Sequence, residues 1–443
     1  MRILHYYPGP KRQGGMNRYA TDLALEQKKT GDEVFCLCPV GGLFNSAVRI
    51  SRGHRWNGLT VFELHGGLPV ALLEGIRDPQ IILDSPHKLS AKAVQDFCDL
   101  LQIDLLHIHT WMGFPVELLN EVKRRKIKVV FTTHDYYGLC PKVNFVDTDG
   151  LLCTAPCNSR CSKCNAAAPS EFYLRLRNFP LLLQMKSILQ PLMKLRARLK
   201  KSTSASLPET TVEKNYDALF AYYRKLFLSC DRIHFNSPVT QMVFQRFIPE
   251  LEGDILSISH AGISDRRKKR QIGTGKIRLA VFGGEAPYKG LPMLLKSLTI
   301  LQNEGISNWH LDIWGTAERK KTENISWNGR FRQKDEYNIL NEIDLLIVPS
   351  LWYETFGFIV PEALSAGVPV LCSDTVGAQS LIPPEMVFHG AEDLTDKLRC
   401  ILKDSAILNE ENSRICQSHS ILTISGHVTE MKYFYNKKSV NDL

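Results

Sequence analysis

Short β-rich runs alternate with helix-length amphipathic runs from the first residues onward, and the alternation restarts after one polar break. Residues 2–6, 33–37 and 59–64 are strand-length and apolar, and an amphipathic stretch at 17–30 lies between the first two. Parallel strands need a long crossover rather than a tight turn, so this rhythm predicts a parallel sheet covered by helices. It continues through 104–107, a helix at 115–125, and further runs at 129–132, 232–235 and 255–259. Residues 265–276, DRRKKRQIGTGK, are too polar to bury and read as a linker. The rhythm then resumes at 277–282, a helix at 292–303, 310–314, 344–348, a helix at 360–366, and 369–372. Two α/β domains are expected, at 1–264 and 277–430. The last residues, 431–443, carry Tyr433, Phe434 and Tyr435 behind a polar break and are expected to cross back to the first domain. A chain of 443 residues that is 44% apolar has enough material for two such cores.

One stretch breaks the pattern. Residues 140–221 show no strand–helix alternation and read as an insertion in the first domain. The insertion opens with five cysteines, Cys140, Cys153, Cys157, Cys161 and Cys164. It continues with a basic, leucine-rich run at 172–201 that includes Arg175, Arg177, Lys186, Lys194, Arg196, Arg198, Lys200 and Lys201. Such a run suits an anionic lipid surface, or a packed helix with a solvated basic face. The net charge of +9 fits a polyphosphate ligand or an anionic surface, whereas no nucleic-acid reading module accompanies the basic clusters. His5 and Pro8 break the opening apolar patch, and no later stretch reaches the roughly 18 apolar residues of a spanning helix. A cytoplasmic protein is expected, in peripheral contact with the inner face of the plasma membrane through the basic run. There the twelve cysteines stay reduced.

The densest chemical signal runs from Pro349-Ser350-Leu351-Trp352-Tyr353-Glu354-Thr355-Phe356-Gly357 through Glu362 to Ala366-Gly367-Val368-Pro369-Val370. Glu354 falls in the loop after a buried strand and Glu362 on the following helix, so both can face one ligand at the carboxyl edge of a sheet. Free N–H groups near Gly357 favour a phosphate, and a carboxylate on the helix suits ribose hydroxyls. At this point the chain resembles family 4 of the retaining glycosyltransferases, whose donor domain carries the pattern Glu-x-Phe-Gly-x-x-x-x-Glu.

The resemblance implies a GT-B fold, with two Rossmann-like domains facing a cleft, and transfer of a hexose from a nucleoside diphosphate sugar (UDP or GDP) to a glycan or lipid-linked acceptor. Glu354 is then expected on the transferred sugar, and Glu362 on the ribose, with Phe356 and Gly357 beside them. Upstream, Gly283-Gly284-Glu285-Ala286-Pro287-Tyr288-Lys289-Gly290 supplies a glycine turn for a diphosphate and Lys289 for the leaving phosphate. The family places an arginine where Gly284 stands, so another basic residue compensates or Lys289 acts alone. Gly14 and Gly15 match the glycine loop facing the diphosphate, with Arg18 just beyond. His134, followed by Asp135, matches the acceptor-side histidine; His107 and His109 read as structural. Base recognition is expected near 330–337. The resemblance further implies retention of configuration, same-face attack by the acceptor hydroxyl, and no cofactor required for catalysis. The setting it suggests is bacterial surface polysaccharide or lipopolysaccharide assembly.

Four of the five clustered cysteines could enclose a structural zinc; reduced thiols, or a disulfide or iron–sulfur site, are the other readings. Two different functions stay open beside transfer. One is a sugar-nucleotide epimerase of the same fold, and the other a catalytically silent subunit that binds sugar nucleotide or membrane.

Overall fold

In the computed structural model the described residues are 1–40, 47–68, 72–177, 212–273, 275–283, 285–317, 319, 321–418 and 421–437. Fourteen strands among them form two sheets. The first holds β1 (Arg2–Tyr6), β2 (Glu33–Val40), β3 (Arg49–Arg52), β4 (Thr60–His65), β5 (Leu105–Ile108), β6 (Lys128–Thr132), β7 (Arg232–Phe235) and β8 (Asp254–Ile255). Their order is β3-β4-β2-β1-β5-β6-β7-β8, parallel throughout except for the antiparallel edge pair β3 and β4. The second sheet holds β9 (Ile277–Phe282), β10 (Trp309–Trp314), β11 (Ile325–Gly329), β12 (Leu345–Val348), β13 (Val370–Ser373) and β14 (Val387–Phe388). It is wholly parallel in the order β11-β10-β9-β12-β13-β14.

The central strands β1, β5, β6 and β12 are buried on both faces, which explains why they read as continuous apolar runs rather than as alternating ones. In both sheets the strand order reverses beside the first strand of the unit, β1 or β9, and loops at such a point open a crevice at the carboxyl edge. The helix Gly15–Lys29 follows β1, and the helix Ile359–Ser365 follows β12 through the loop that carries Glu354.

Two features join the units. The segment after β8 lies on the second unit, where Arg270 donates to the carbonyls of Leu340, Asn341, Ile343 and Ala366. Its polarity satisfies exposed backbone ends there, so a stretch unable to form a core is still tied down. The helix Ile424–Asn436 packs against Gly15–Lys29: Met431, Phe434 and Tyr435 are buried, and Tyr19 Oη meets His427 Nε2 at 2.8 Å. One apolar cluster runs from Tyr19, Leu23 and Val34 through this helix into the core of the second unit. A separate one fills the other face of the first sheet.

The described part of the insertion contains helices Asn158–Asn165, Glu171–Arg177 and Tyr216–Leu228. The basic run beyond Arg177 lies outside the described residues. Among the described residues no helix is long and apolar enough to cross a membrane.

Candidate functional site

The loop between β12 and the helix Ile359–Ser365 is held at both ends by backbone pairing. Glu354 N donates to Thr375 O, and Gly377 N and Ala378 N donate to Glu354 O and Phe356 O. This close approach explains Gly377, where an added Cβ would lie 2.1 Å from Thr355 O. Thus anchored, Glu354 projects its carboxylate to the sheet edge. Its Oε1 accepts from Lys289 Nζ at 2.9 Å and its Oε2 from Ser350 Oγ at 2.8 Å. Lys289 ends a one-turn 3-10 helix, Pro287–Lys289, and its ammonium also stands 4.9 Å from the Trp352 ring centroid. Gly290 closes that turn with φ 77°, and an added Cβ there would fall 1.6 Å from Pro349 O. The glycine is therefore what lets the lysine turn reach the glutamate loop.

Glu362 lies deeper, on the helix, and is buried. Its Oε1 accepts from Arg18 NH1 at 2.7 Å and pairs with His260 Nε2 at 2.8 Å, both supplied by the first unit. Glu336 is its other neighbour. Burial, and then the charge of Glu362, pushes the Glu336 carboxyl up to about 9, so at neutral pH it keeps its proton and donates to Glu362. Glu362 is itself held below the usual range: burial works against ionisation, and His260, Glu336 and Arg18 outweigh it. A cavity of about 510 Å³ opens here between the units, with Arg18 and Gly262 on one side and Gln333, Glu336, Tyr337 and Glu362 on the other. It borders the 330–337 stretch expected to meet the base.

On the first unit, Gly14 caps the helix Gly15–Lys29 with φ 117°, and a Cβ on Gly15 would touch Phe358 at 3.2 Å. The glycine turn thus abuts the second unit at the Phe356–Gly357 corner, where Phe356 is buried and Gly357 takes φ 92°. His134 follows β6 and is half-buried. Its carbonyl accepts from Thr355 Oγ1 at 3.1 Å, which sets it one residue from Glu354 across the cleft. Burial, with His234 and His427 adding to it, holds its imidazole well below the ordinary histidine value. Burial likewise lifts the Asp135 carboxyl to about 6.

Of the sequence-derived residues, Glu354, Lys289, Glu362, Phe356, Gly357, Gly14, Gly15 and His134 therefore meet at one cleft. Gly283 follows β9 with φ 154° and donates its N–H to Trp314 O; Gly284 lies outside the described residues. Sequence reasoning missed His260, which stands 102 positions from Glu362 without any motif of its own; Gln333 and Glu336 fall within the 330–337 stretch expected near the base, where neither was singled out. Arg18 had one signal, its place beside the glycine turn.

In the insertion, Cys140, Cys153, Cys161 and Cys164 line one small cavity of about 20 Å³, whereas Cys157 is exposed and does not. All five are free thiols, and no three of their sulfurs lie within 4.8 Å of one another. Burial raises the Cys140 thiol above its usual value, and the backbone N–H groups of Phe145, Lys142 and Asn144 in the following loop work against that rise; in the same loop Val143 and Phe145 take φ 56° and 53°. Two non-glycine residues in the left-handed region, one of them β-branched, are a costly way to build a loop.

Comparison with known proteins gives the same picture. Residues 277–404 match the family model "Glycosyl transferases group 1", and residues 13–148 match "Glycosyltransferase Family 4". No curated protein sequence matches the chain. Sucrose-phosphate synthase from Thermosynechococcus elongatus is a solved structure of similar fold, with TM-score 0.59, 14% identity and 98% of each chain covered. HepE of Anabaena, solved with UDP and glucose, aligns with TM-score 0.54 and 14% identity over 98% of this chain and 99% of its own. WaaG, a glycosyltransferase involved in lipopolysaccharide biosynthesis, aligns with TM-score 0.52 and 13% identity over 98% and 100%.

Proposed function

The chain belongs to the group 1 glycosyltransferases of GT-B fold, and we propose that it moves a hexose, with retention of configuration, from UDP- or GDP-sugar to a glycan or lipid-linked acceptor. The observation that carries this reading is the meeting of Lys289 and Glu354 at 2.9 Å on the second unit, directly across the cleft from the glycine turn and His134. A diphosphate entering there would draw the Lys289 ammonium from Glu354 to its own oxygens. The lysine then stabilises the charge that develops as the glycosidic bond breaks, and the freed carboxylate accepts hydrogen bonds from the sugar. Glu362 exchanges Arg18 for the ribose hydroxyls. Arg18, released beside the glycine turn, is the basic residue that can compensate for the arginine replaced at Gly284. With these cations in place the leaving group needs no metal, and the acceptor hydroxyl attacks from the same face, next to His134.

HepE is solved with UDP and glucose and WaaG serves lipopolysaccharide synthesis, which favours a UDP-hexose donor and a surface-polysaccharide acceptor here. A thermal-shift screen of UDP- and GDP-sugars tests the donor, because a ligand at 100 times its Kd adds about 2.7 kcal/mol of stability. Anomer analysis of the product tests retention, and turnover in EDTA tests metal independence. If no sugar nucleotide shifts the melting temperature, the reading falls.

Two further proposals complete it. The exposed Phe172 and Tyr173 start the basic run, and the reading gives that face to an anionic membrane carrying the acceptor. Flotation should then require anionic lipid and fall with salt. The cavity shared by Cys140, Cys153, Cys161 and Cys164 is proposed to take one structural zinc. Its support is the meeting of these four thiols at one cavity: burial raises the Cys140 thiol above its usual value, the backbone N–H groups of residues 142, 144 and 145 partly offset that rise, and a bound cation would draw the sulfurs together and supply the remaining stabilisation of the thiolate.

A further inference from the structure

Beneath the cleft the first unit buries a row of histidines. Among the described residues, His5, His107 and His109 form the one group whose ligand atoms lie within 4.8 Å of one another. Each of their six ring nitrogens is already hydrogen-bonded, which leaves no lone pair for a cation. What they form instead is a chain whose direction can be worked out from one end.

Leu256 O can only accept, so His234 Nε2, 2.8 Å away, carries a hydrogen. Burial pushes His234 down to about 3, so the ring is neutral and its Nδ1 is bare. Thr132 Oγ1 must therefore spend its hydrogen on that Nδ1 at 3.0 Å, and can only accept from His107 Nε2 at 2.7 Å. His107 Nδ1 is then bare and takes the Tyr435 hydroxyl hydrogen at 2.8 Å. With that hydrogen used, the Tyr435 oxygen accepts from Gln27 Nε2 at 3.1 Å, which turns Gln27 Oε1 toward His5 Nε2 at 2.7 Å. His5 thus donates from Nε2 and accepts on Nδ1 from His109 Nε2 at 3.0 Å. His109 Nδ1 in turn accepts from His134 Nε2 at 3.2 Å. No donor faces a donor anywhere along the row. Burial also keeps His5, His107 and His109 neutral, as this assignment requires.

We propose that this one-way chain fixes His134 as the Nε2–H tautomer, so that its bare Nδ1 accepts a hydrogen bond from a hydroxyl of the sugars in the cleft. The inference rests on the role given to His134 above. Gln27 and Tyr435 are positioning residues: neither reaches the cleft, but each sets the direction of every link beyond it. The helix Ile424–Asn436, far along the chain, thereby helps decide which nitrogen the active site sees.

Nitrogen-15 NMR of histidine-labelled protein tests this without any substrate, with the His134 signals assigned by their loss in His134→Gln. The wild type should show Nε2 protonated and Nδ1 bare at His134. Tyr435→Phe removes the acceptor of the Gln27 amide, which can then turn its N–H toward His5 and reverse the three rings beyond. His134 should shift toward Nδ1–H, and turnover of the sugar nucleotide identified by thermal shift should drop about ten-fold, the ratio that one hydrogen bond's net preference sets. Tyr433→Phe, on the same helix but 76% exposed, should change neither. A protonated Nδ1 in the wild type overturns the proposal, and it does so even if Tyr435→Phe fails to fold. An unchanged tautomer in a folded Tyr435→Phe protein overturns it too. Full activity in His134→Ala would instead remove the reading beneath it while leaving the tautomer measurement intact.

Discussion

Replacing Glu354 by Gln and Lys289 by Met, singly and together, separates catalysis from stability at the cleft. The pair is partly solvated, with side chains 21% and 27% exposed, so the attraction lost from the free enzyme is about 1 kcal/mol or less. For domains of this size that moves Tm by only about 2–4 °C. Catalysis should suffer far more. In the proposed reaction each group acts where charge develops, and losing one such contact costs about a hundred-fold in turnover, or about 2.7 kcal/mol of barrier. Because that reaction has both serve the same departing diphosphate sugar, their losses should not multiply. We expect the double variant to fall about a thousand-fold rather than ten-thousand-fold. The assay is nucleoside diphosphate release from the donor found by thermal shift, at saturating donor, with Tm recorded alongside. Turnover within about three-fold of wild type in either single variant would refute the assignment of these residues. A Tm drop of more than about 8 °C would show that the pair holds the fold instead.

Three more outcomes follow from the geometry. Glu336 keeps its proton up to about pH 9 in the folded chain, whereas the unfolded chain releases it near pH 4.5; stability is therefore lost as pH rises between those values, and Glu336→Gln should flatten the decline in Tm measured from pH 6 to 9. An equal slope in both proteins would contradict the buried proton. Gly290→Ala puts a methyl 1.6 Å from Pro349 O at φ 77°, so we expect a loss of at least about 3 kcal/mol in chemical denaturation and turnover reduced beyond the Lys289 variant, with wild-type stability as the contrary result. Elemental analysis of protein prepared without chelators should find about one zinc per chain, abolished by Cys161→Ser with Cys164→Ser and retained in Cys157→Ser, whose thiol is exposed and outside the cavity; metal-free wild type would leave the cysteines as plain thiols.

The sheets were legible because a parallel strand buried on both faces must be apolar along its whole length, as Leu345–Val348 and Lys128–Thr132 nearly are. The edge strand Arg49–Arg52, with sequence RISR, carries no such mark. It exists because β4 offers it an antiparallel partner, a fact about neighbours rather than about its own residues. The same division runs through the site. Glu354 and Glu362 could be read because one loop and one helix fix their relation over eight positions of chain, and Lys289 because a glycine turn after a strand leaves few places for its ammonium. Which groups neutralise those carboxylates could not be read, since Glu362 meets Arg18 across 344 positions and His260 across 102. The histidine row is the extreme case: Gln27 and Tyr435 stand 408 positions apart and share no pattern, so their hydrogen bond exists only once the last helix has returned to the first sheet. Local sequence therefore determines where Glu354 and Glu362 stand, and long-range closure determines the hydrogen-bond partners with which Glu362 and His134 are presented. That is why the measurements that bear most directly on this cleft are those that count protons, on Glu336 and on the two nitrogens of His134.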